Sequence, residues 1–356
     1  MNLREIQNKI QRGQRLGLED GAALFESNDI IRIGKLAHAA RHKLHGRRVY
    51  YSVNYHLNHT NICKTGCDFC AFSRKGSESD AYTLSIDEIE NKIEKAVSKW
   101  GVNEVHMVGG HNPALGFEYY RELFSRIRSR FPVLFIKALT ASEIHDISER
   151  SGIPVEEVLK GLREAGLNSL PGGGAEIFDP EIRRRICPGK ISGDEWLRIH
   201  RTAHRIGIPT NATMLYGHLE KAHDRVEHML RLRALQDETK GFRAFVPIAF
   251  RSPKSGTDAG IRACGSVDDG FLHLKVLSIA RLMLDNIPHL RVHWPATDLK
   301  FAQAALSFGP DHIGGTNLNE KVIRDAGGSA AEGLSSGDLV RFIREAGFEP
   351  VEIQGA

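Results

Sequence analysis

No uncharged apolar run in this 356-residue sequence approaches the ~18 residues that a membrane span needs, so we expect no membrane partner. An excess of one charge is also lacking. The 48 basic and 44 acidic residues give a formal net charge of +4, too small to make a dedicated binder of nucleic acid. The N-terminal residues 1–5 are charged, with no signal-like apolar core behind them, so we expect a cytoplasmic protein.

Aromatic residues are also scarce, at 7%, whereas hydrophobic residues make up 41% and charged residues 26% of the chain. This composition is that of an ordinary globular protein and excludes disordered and fibrous classes. A chain above about 250 residues forms either two ordinary domains or one large α/β barrel with additions. No low-complexity linker or obvious repeat divides the sequence. The order of its helices and strands must therefore decide between two domains and one barrel.

Apolar residues at helical spacing predict an N-terminal helical cap over residues 1–46. After it, strand-like runs alternate with amphipathic helix-like runs, which is typical of a parallel sheet built from βα units. Eight such pairs predict a (β/α)8 barrel of the TIM type over residues 47–318, with a C-terminal helix and tail over 319–356 that complete or cover it. The predicted strands are 49–55, 104–108, 134–139, 169–170, 210–216, 244–250, 290–294 and 312–313.

Five cysteines are few, and three of them, Cys63, Cys67 and Cys70, fall within eight residues just after the first predicted strand. In a reducing compartment cysteines seldom form disulfides, so this C-x3-C-x2-C run is interpreted as a set of metal ligands. Three thiolates leave a fourth metal position open, which favours a [4Fe–4S] cluster with one iron free to bind a substrate or cofactor.

A structural zinc site is the alternative to the cluster, with a nearby histidine such as His56 or His59 closing the tetrahedron. The other two cysteines, Cys187 and Cys264, are distant in sequence and lack paired metal spacing. We interpret both as free thiols.

Chemistry in a (β/α)8 barrel lies at the carboxyl ends of the strands, so the residues that follow each strand are candidates. Gly109 and Gly110 follow the second strand, where a backbone without side chains can approach a ligand closely. Glu143 follows the third strand, and Glu176 follows a glycine-rich segment after the fourth. Either carboxylate could accept hydrogen bonds from ribose hydroxyls, or could instead cap the next helix.

Polar residues also enter runs that a buried parallel strand normally fills with apolar ones, as Thr213 does in the fifth strand, which predicts side chains facing the barrel lumen. Near other strand ends lie His59, His218, His293 and Arg251. These residues are candidate partners for an anionic substrate, with a purely structural role as the alternative.

The cysteine motif, with Phe69 before its last cysteine and the first strand before it, resembles the signature of the radical S-adenosylmethionine (SAM) enzymes. The resemblance implies that Cys63, Cys67 and Cys70 bind three irons of a [4Fe–4S] cluster, while SAM chelates the fourth iron through its methionine moiety. It implies a set of SAM contacts made by Phe69, Gly109, Gly110, Glu143, Glu176 and Thr213. For Phe69, a place in the apolar core is the alternative.

Longer stretches between about residues 45 and 325 resemble the radical SAM enzymes of the futalosine route to menaquinone and, more distantly, the deazaflavin-cofactor synthases. Residues 178–180, 185–188 and 199–204 are most similar to the futalosine-route branch that consumes SAM as a co-substrate and forms a C–C bond. That similarity implies transfer of the 5′-deoxyadenosyl group to 3-[(1-carboxyvinyl)oxy]benzoate, with an unidentified one-electron donor. The alternatives are dehypoxanthine futalosine cyclase or another hydrogen-abstracting relative, and a non-enzymatic metal-binding module.

Overall fold

The computed structural model describes residues 2–251, 269–328 and 333–356, so the prediction for Cys264 falls outside the described residues. In chain order the helices are α1 (Leu3–Gln11), α2 (Leu18–Glu26), α3 (Ile30–His45), α4 (Ile86–Trp100), α5 (Phe117–Arg130), α6 (Ala141–Ser151), α7 (Val155–Glu164), α8 (Pro180–Ile186), α9 (Gly193–Arg205), α10 (Ala222–Thr239), α11 (Gly270–Met283), α12 (Leu299–Ala305), α13 (Val322–Asp325) and α14 (Ser336–Glu345). The strands are β1 (Arg48–Ser52), β2 (Asn54–Leu57), β3 (Glu104–Met107), β4 (Phe135–Ala138), β5 (Thr210–Tyr216), β6 (Phe242–Ala249), β7 (His289–Leu290), β8 (His312–Gly315) and β9 (Glu349–Glu352).

Among the described residues, the pairs between the nine strands are all parallel and form three sheets, in the orders β8-β1-β9, β2-β3-β4 and β5-β6-β7. Isolated parallel bridges join these sheets: Lys137 to Ser169, Leu170 to Thr210, and Arg291 to His312. Helices connect the successive strands, as parallel pairing requires. The molecule therefore has an α/β fold in which the carboxyl ends of the strands share one edge.

The predicted strands are found, but the first is divided, the fourth is reduced to bridge residues, and the seventh, predicted over 290–294, covers only His289–Leu290. The run 49–55 is interrupted between β1 and β2, and the two halves pair with different neighbours, β8 and β9 on one hand and β3 on the other. The fourth run is reduced to the bridge residues Ser169 and Leu170, because the glycines that follow cannot continue a strand.

Four of the helices and strands given above were not predicted, and the short helix α13 is one of them. Helix α6 begins directly after β4, where Thr140 and Glu143 form a reciprocal capping box. Helix α8 opens with Asp179 as the N-cap and Pro180 in its first turn, a typical helix start. Strand β9, within the tail over 319–356, pairs with β1.

The N-terminal helices pack on the outer helices of the fold, α2 against α10 and α3 against α11. Buried contacts tie them there: Lys275 on α11 donates a hydrogen bond to the carbonyl of Phe25 (2.7 Å), and Arg233 on α10 donates one to the carbonyl of Leu16 (3.0 Å). No helix within the described residues is both long and apolar enough to span a bilayer.

Trp196 on α9 joins the apolar core to the glycine-rich segment after Leu170. Its ring is fully buried and packs on His200 and Phe178, with centroid separations of 3.7 and 5.5 Å. Its Nε1–H donates a hydrogen bond to the carbonyl of Gly173 (3.1 Å). The core thereby fixes the backbone at one edge of the site described below.

We predict that Trp196→Ala lowers the free energy of unfolding by about 3–5 kcal/mol, because a large buried ring leaves a cavity. Trp196→Phe should cost less, with the lost hydrogen bond contributing roughly 1 kcal/mol. Urea unfolding followed by circular dichroism measures both values. Equal losses in the two variants would contradict the packing role given to the indole.

Candidate active site

The cysteine loop follows β2 and folds back on itself. The N–H of Cys63 donates to the carbonyl of Arg74 (2.9 Å), and the N–H of Arg74 donates to the carbonyl of Asn61 (2.8 Å). A buried amide, Asn112, donates to the hydroxyls of Thr60 and Thr83 (3.1 and 2.9 Å) and holds the base of the loop. Backbone pairing therefore presents the three thiols from a loop of defined shape.

The three sulfur atoms face one cavity of about 300 Å³, which the cysteines line. The hydroxyl of Thr65 lies 3.1 Å from Sγ of Cys63 and 3.5 Å from Sγ of Cys67. The backbone N–H of His111 donates to Sγ of Cys63 (3.3 Å). Such N–H and O–H donors stabilise thiolates, and hydrogen bonds to the sulfurs help to set the potential of an iron–sulfur cluster.

The spacing of the thiols discriminates between a single metal ion and a cluster. Four ligands about 2.3 Å from one zinc lie within about 4 Å of one another. Within the described residues, the one set of three metal-ligating atoms inside 4.8 Å is formed by His45, His289 and Asp311, and it does not include the cysteines. Asp311 is already paired with Arg281. The three cysteine sulfurs therefore do not all lie within 4.8 Å of one another, a wider spacing than tetrahedral zinc ligation has and one compatible with a [4Fe–4S] cluster.

The histidines considered for zinc are engaged elsewhere. His59 is fully buried, with Nε2 2.9 Å from the hydroxyl of Tyr120, and burial lowers its pKa to about 4. His56 has Nε2 3.0 Å from Oδ1 of Asn317. The chemistry of the donor set, three thiols with no fourth ligand among the residues that the structure describes, fits a cluster with one open iron.

Gly110 lies against the cysteine loop, and Gly109 beside it packs on the ring of His59. Their predicted close approach to SAM stays a prediction. A Cβ atom on Gly110 would overlap the carbonyl oxygen of Ile62 and lie 2.9 Å from Cβ of Cys63. The N–H of Gly109 donates to the carboxylate of Glu143 (3.2 Å), and both residues line the cavity.

Glu143 caps helix α6 while it lines the cavity. One carboxylate oxygen accepts from the N–H of Thr140 (2.7 Å) and the other from Gly109, and burial raises the pKa of Glu143 to about 7. Both interpretations made from the sequence therefore meet in one residue. A SAM contact by Glu143 stays a prediction.

Glu176 stands at the end of the glycine-rich segment in the left-handed region, with φ 44°. Its carboxylate accepts from the ammonium of Lys190 (2.5 Å), and the two side chains are largely buried at the cavity. Burial alone would raise the pKa of Glu176, but the Lys190 charge outweighs it and leaves the pKa below its ordinary value. The carboxylate is thus ionised and available to accept hydrogen bonds.

Lys190 is a site residue that the sequence interpretation missed. Its Nζ lies 5.5 Å from the centroid of the Phe69 ring, within reach of a cation–π contact. Gly189 before it touches the cysteine loop so closely that a Cβ there would overlap the carbonyl oxygen of Thr65. No spacing rule links residue 190 to the cysteines, because the contact is made through the tertiary fold.

Arg183 holds the glycine-rich segment after Leu170 in place through hydrogen bonds to its backbone carbonyls. Its guanidinium donates to the carbonyls of Gly174 (3.2 Å) and Ile177 (3.1 Å), and also to the carbonyl of Ala175. Thr213 closes the same region, since its hydroxyl donates to the carbonyl of Gly172 (2.5 Å) while its side chain lines the cavity.

The four residues predicted to contact an anionic substrate fall into two groups. Arg251 and His293 line the cavity. Arg251 donates to the carbonyl of Ala296 (2.6 Å), and burial lowers the pKa of His293 to about 3. His59 and His218 do not line the cavity. His59 lies behind Gly109, and His218 bonds the carbonyl of Leu215 (3.0 Å), so neither ring is placed to contact a ligand in the cavity.

The comparison with known families agrees with this geometry. Residues 57–232 match the model of the radical SAM superfamily, and residues 239–354 match the CofH/MqnC C-terminal region. Among solved structures, methylornithine synthase superposes with a TM-score of 0.76 at 18% identity, covering 97% of each chain. The hydrogenase maturase HydG of Carboxydothermus hydrogenoformans gives 0.73 at 16% identity, with 98% of this chain and 78% of the other covered.

The chain belongs to the radical SAM superfamily, whose members use a [4Fe–4S] cluster and SAM. Within it, the chain is 42% identical to aminodeoxyfutalosine synthase of Thermus thermophilus, over 98% of this chain and 93% of the relative. The Streptomyces coelicolor enzyme of the same name is 41% identical over 98% and 92%. A 5-amino-6-(D-ribitylamino)uracil–L-tyrosine 4-hydroxyphenyl transferase of Methanopyrus kandleri is 38% identical over 94% and 92%.

We predict that Gly110→Ala displaces the cysteine loop and lowers the iron bound after anaerobic reconstitution, because the new methyl group has no space beside Ile62 and Cys63. Iron and sulfide analysis with the absorbance near 400 nm measures the loss. Gly116→Ala is the matched control, since nothing lies within 4 Å of its Cβ position. A full cluster in Gly110→Ala would contradict the close contact.

Proposed function

We propose that this chain is an aminodeoxyfutalosine synthase, which converts SAM and 3-[(1-carboxyvinyl)oxy]benzoate to 6-amino-6-deoxyfutalosine and methionine with loss of one carbon. The observation that carries the proposal is the similarity to two such synthases over nearly the whole length of both chains. The geometry supports it, because the three cysteines and the acidic and basic candidates line one cavity.

Cys63, Cys67 and Cys70 would hold the cluster, and Phe69 and Thr65 would pack beside it. When bound, the cluster supplies the electron that cleaves the sulfonium of SAM. Cys63 and Cys70 are partly exposed, so an unidentified one-electron donor can approach this loop from outside. The protein's own contribution is to hold both substrates close together and to exclude water and stray hydrogen donors.

The other residues of the cavity suit the polar groups of SAM. The backbones of Gly109 and Gly110 offer hydrogen-bonding groups beside the cysteine loop, and Glu176 offers an ionised carboxylate to ribose hydroxyls. Lys190 offers a buried ammonium that suits the carboxylate of SAM. Thr213 would contact the nucleoside from the opposite wall.

A complete (β/α)8 barrel is part of this proposal. The isolated bridges between the three sheets supply parallel contacts at the positions where a barrel needs them. In such a barrel the second substrate lies in the lumen below SAM, where polar side chains from several strands surround it. Arg251 and His293 are candidates for these contacts.

The fate of the adenosyl group tests the proposal. We predict that SAM labelled in its adenosyl carbons, incubated with reductant and 3-[(1-carboxyvinyl)oxy]benzoate, gives a labelled aryl ketone nucleoside and methionine, because the adenosyl group is transferred intact. Liquid chromatography with mass detection measures the product. Release of labelled 5′-deoxyadenosine in step with turnover of dehypoxanthine futalosine would instead assign the cyclase reaction. Condensation of tyrosine with a ribitylaminouracil would assign the transferase reaction of the third relative.

A second prediction concerns SAM binding alone. Glu176→Gln should weaken SAM binding by roughly 1–3 kcal/mol, because it removes a charged acceptor from a buried site, while the iron content stays unchanged. Equilibrium dialysis on the reconstituted protein measures the affinity. Glu181→Gln on α8 is the control, because that carboxylate is exposed. An unchanged affinity in Glu176→Gln would leave Glu176 with a purely structural role.

A further inference from the structure

A second group of polar side chains lines the cavity away from the cysteines. It comprises His56, His106, Arg291 and Asn317, which we call the floor cluster. His56 and His106 are register partners on β2 and β3, and their rings stack with centroids 4.6 Å apart at 9°. None of these four residues has a role in the SAM contacts described above.

The depth of the floor cluster follows from strand geometry. His106 precedes Gly109 by three residues, and Gly109–Gly110 is the segment that touches the cysteine loop. At about 3.3 Å per residue along a strand, the cluster lies roughly 10 Å below the level of that loop. The floor cluster therefore faces a second ligand in the cavity, at the end of that ligand that lies farthest from the SAM site.

Three nitrogen atoms of the floor cluster have no hydrogen-bond partner among the described residues, although they are buried. They are Nδ1 of His106, Nε of Arg291 and Nδ2 of Asn317. The orientation of the Asn317 amide is supported by its other atom, since Oδ1 lies 3.0 Å from Nε2 of His56 and accepts from Nδ2 of Asn54 (3.4 Å). Nε of Arg291 and Nδ2 of Asn317 are donors, and Nδ1 of His106 is a donor in one of the two neutral tautomers. Buried donors are normally satisfied, so these atoms point to a missing acceptor.

Arg291 forms no ion pair with an acidic side chain of the described residues, and its bonds leave one donor unused. Glu104 nearby is held by Lys137 (3.1 Å) and by the N–H of Gly355 (2.7 Å). Arg291 bonds Ser52, His312 and a terminal oxygen of Ala356 through Nη2, and Lys137 contacts that same oxygen (3.2 Å). Nε of Arg291 makes none of these bonds. A buried guanidinium next to unfilled donors suits a carboxylate.

We propose that Arg291, His106 and Asn317 form a carboxylate-binding site that takes the ring carboxylate of the aromatic substrate. The inference rests on the proposed function. The enol carboxylate is bonded to the vinyl carbon next to the one that reacts, so it must stay near SAM. The ring carboxylate lies across the aromatic ring and reaches the floor.

The test compares ligand affinities of the cluster-loaded, SAM-bound protein by anaerobic calorimetry. The ligands are 3-[(1-carboxyvinyl)oxy]benzoate, 3-(vinyloxy)benzoate, which lacks the enol carboxylate, and 2-phenoxyacrylate, which lacks the ring carboxylate. Asn317→Asp keeps the shape and the acceptor of the side chain but replaces the donor with a negative charge. We expect its Kd to rise at least about ten-fold for the two ligands with a ring carboxylate, and less than about two-fold for 2-phenoxyacrylate.

Two further variants guard against effects on folding. His106→Phe keeps a ring to stack on His56 but removes Nδ1, and should shift affinities in the same selective way. Asn168→Asp is the matched control outside the cavity, where Oδ1 accepts from Arg128 (2.6 Å) and from the N–H of Ile136 (2.8 Å). It should bind all three ligands as the wild type does.

The outcomes separate the two proposals. Suppose that the wild type makes the labelled nucleoside but Asn317→Asp and His106→Phe bind every ligand normally. Water then satisfies the donors of the floor cluster, and the carboxylate-site inference is overturned while the proposed function stands. Equal weakening for all three ligands would also overturn that inference. A wild type that neither binds nor converts 3-[(1-carboxyvinyl)oxy]benzoate would overturn both proposals.

Discussion

The close backbone contact between the cysteine loop and two glycines is the constraint on which the site depends. Gly110 on one side and Gly189 on the other leave no space for a side chain against residues 62–65. The loop itself has little apolar surface to bury, so its position is set by these contacts and by backbone hydrogen bonds. Lys190 and Glu176 stand next to the same contact. The contact therefore positions the three cysteines together with Lys190, the proposed partner of the SAM carboxylate, and Glu176, the proposed partner of the ribose.

The sequence could predict the parts of this protein that local physics determines. Amphipathic spacing predicted helices that alternate with the strands, and α4 and α5 are two of the helices found there. The cysteine run is equally local, because three thiols in eight residues have few other uses in a reducing environment. The two glycines after the second strand were predicted, from their place at a strand end, to let the backbone approach a ligand, and Gly110 is found against the cysteine loop.

The remaining parts depend on contacts between distant segments. Helix α6 was missed although Thr140 and Glu143 have the spacing of a capping box, because the segment was interpreted only as a strand end. Lys190 and Asn317 carry no local signal, since one becomes a site residue through the turn after α8 and the other through the end of β8. His59 had the right position in sequence, but its ring turns behind Gly109 to meet Tyr120.

The account stands on a cluster whose fourth iron is open to SAM. Electron paramagnetic resonance of the reduced, reconstituted protein, recorded with and without SAM, tests this most directly. We expect a [4Fe–4S]⁺ signal whose g values shift when SAM is added, and a broadening when the methionine carboxylate of SAM carries ¹⁷O. A spectrum that ignores SAM, or a protein that holds zinc and no iron at Cys63, Cys67 and Cys70, would contradict the account.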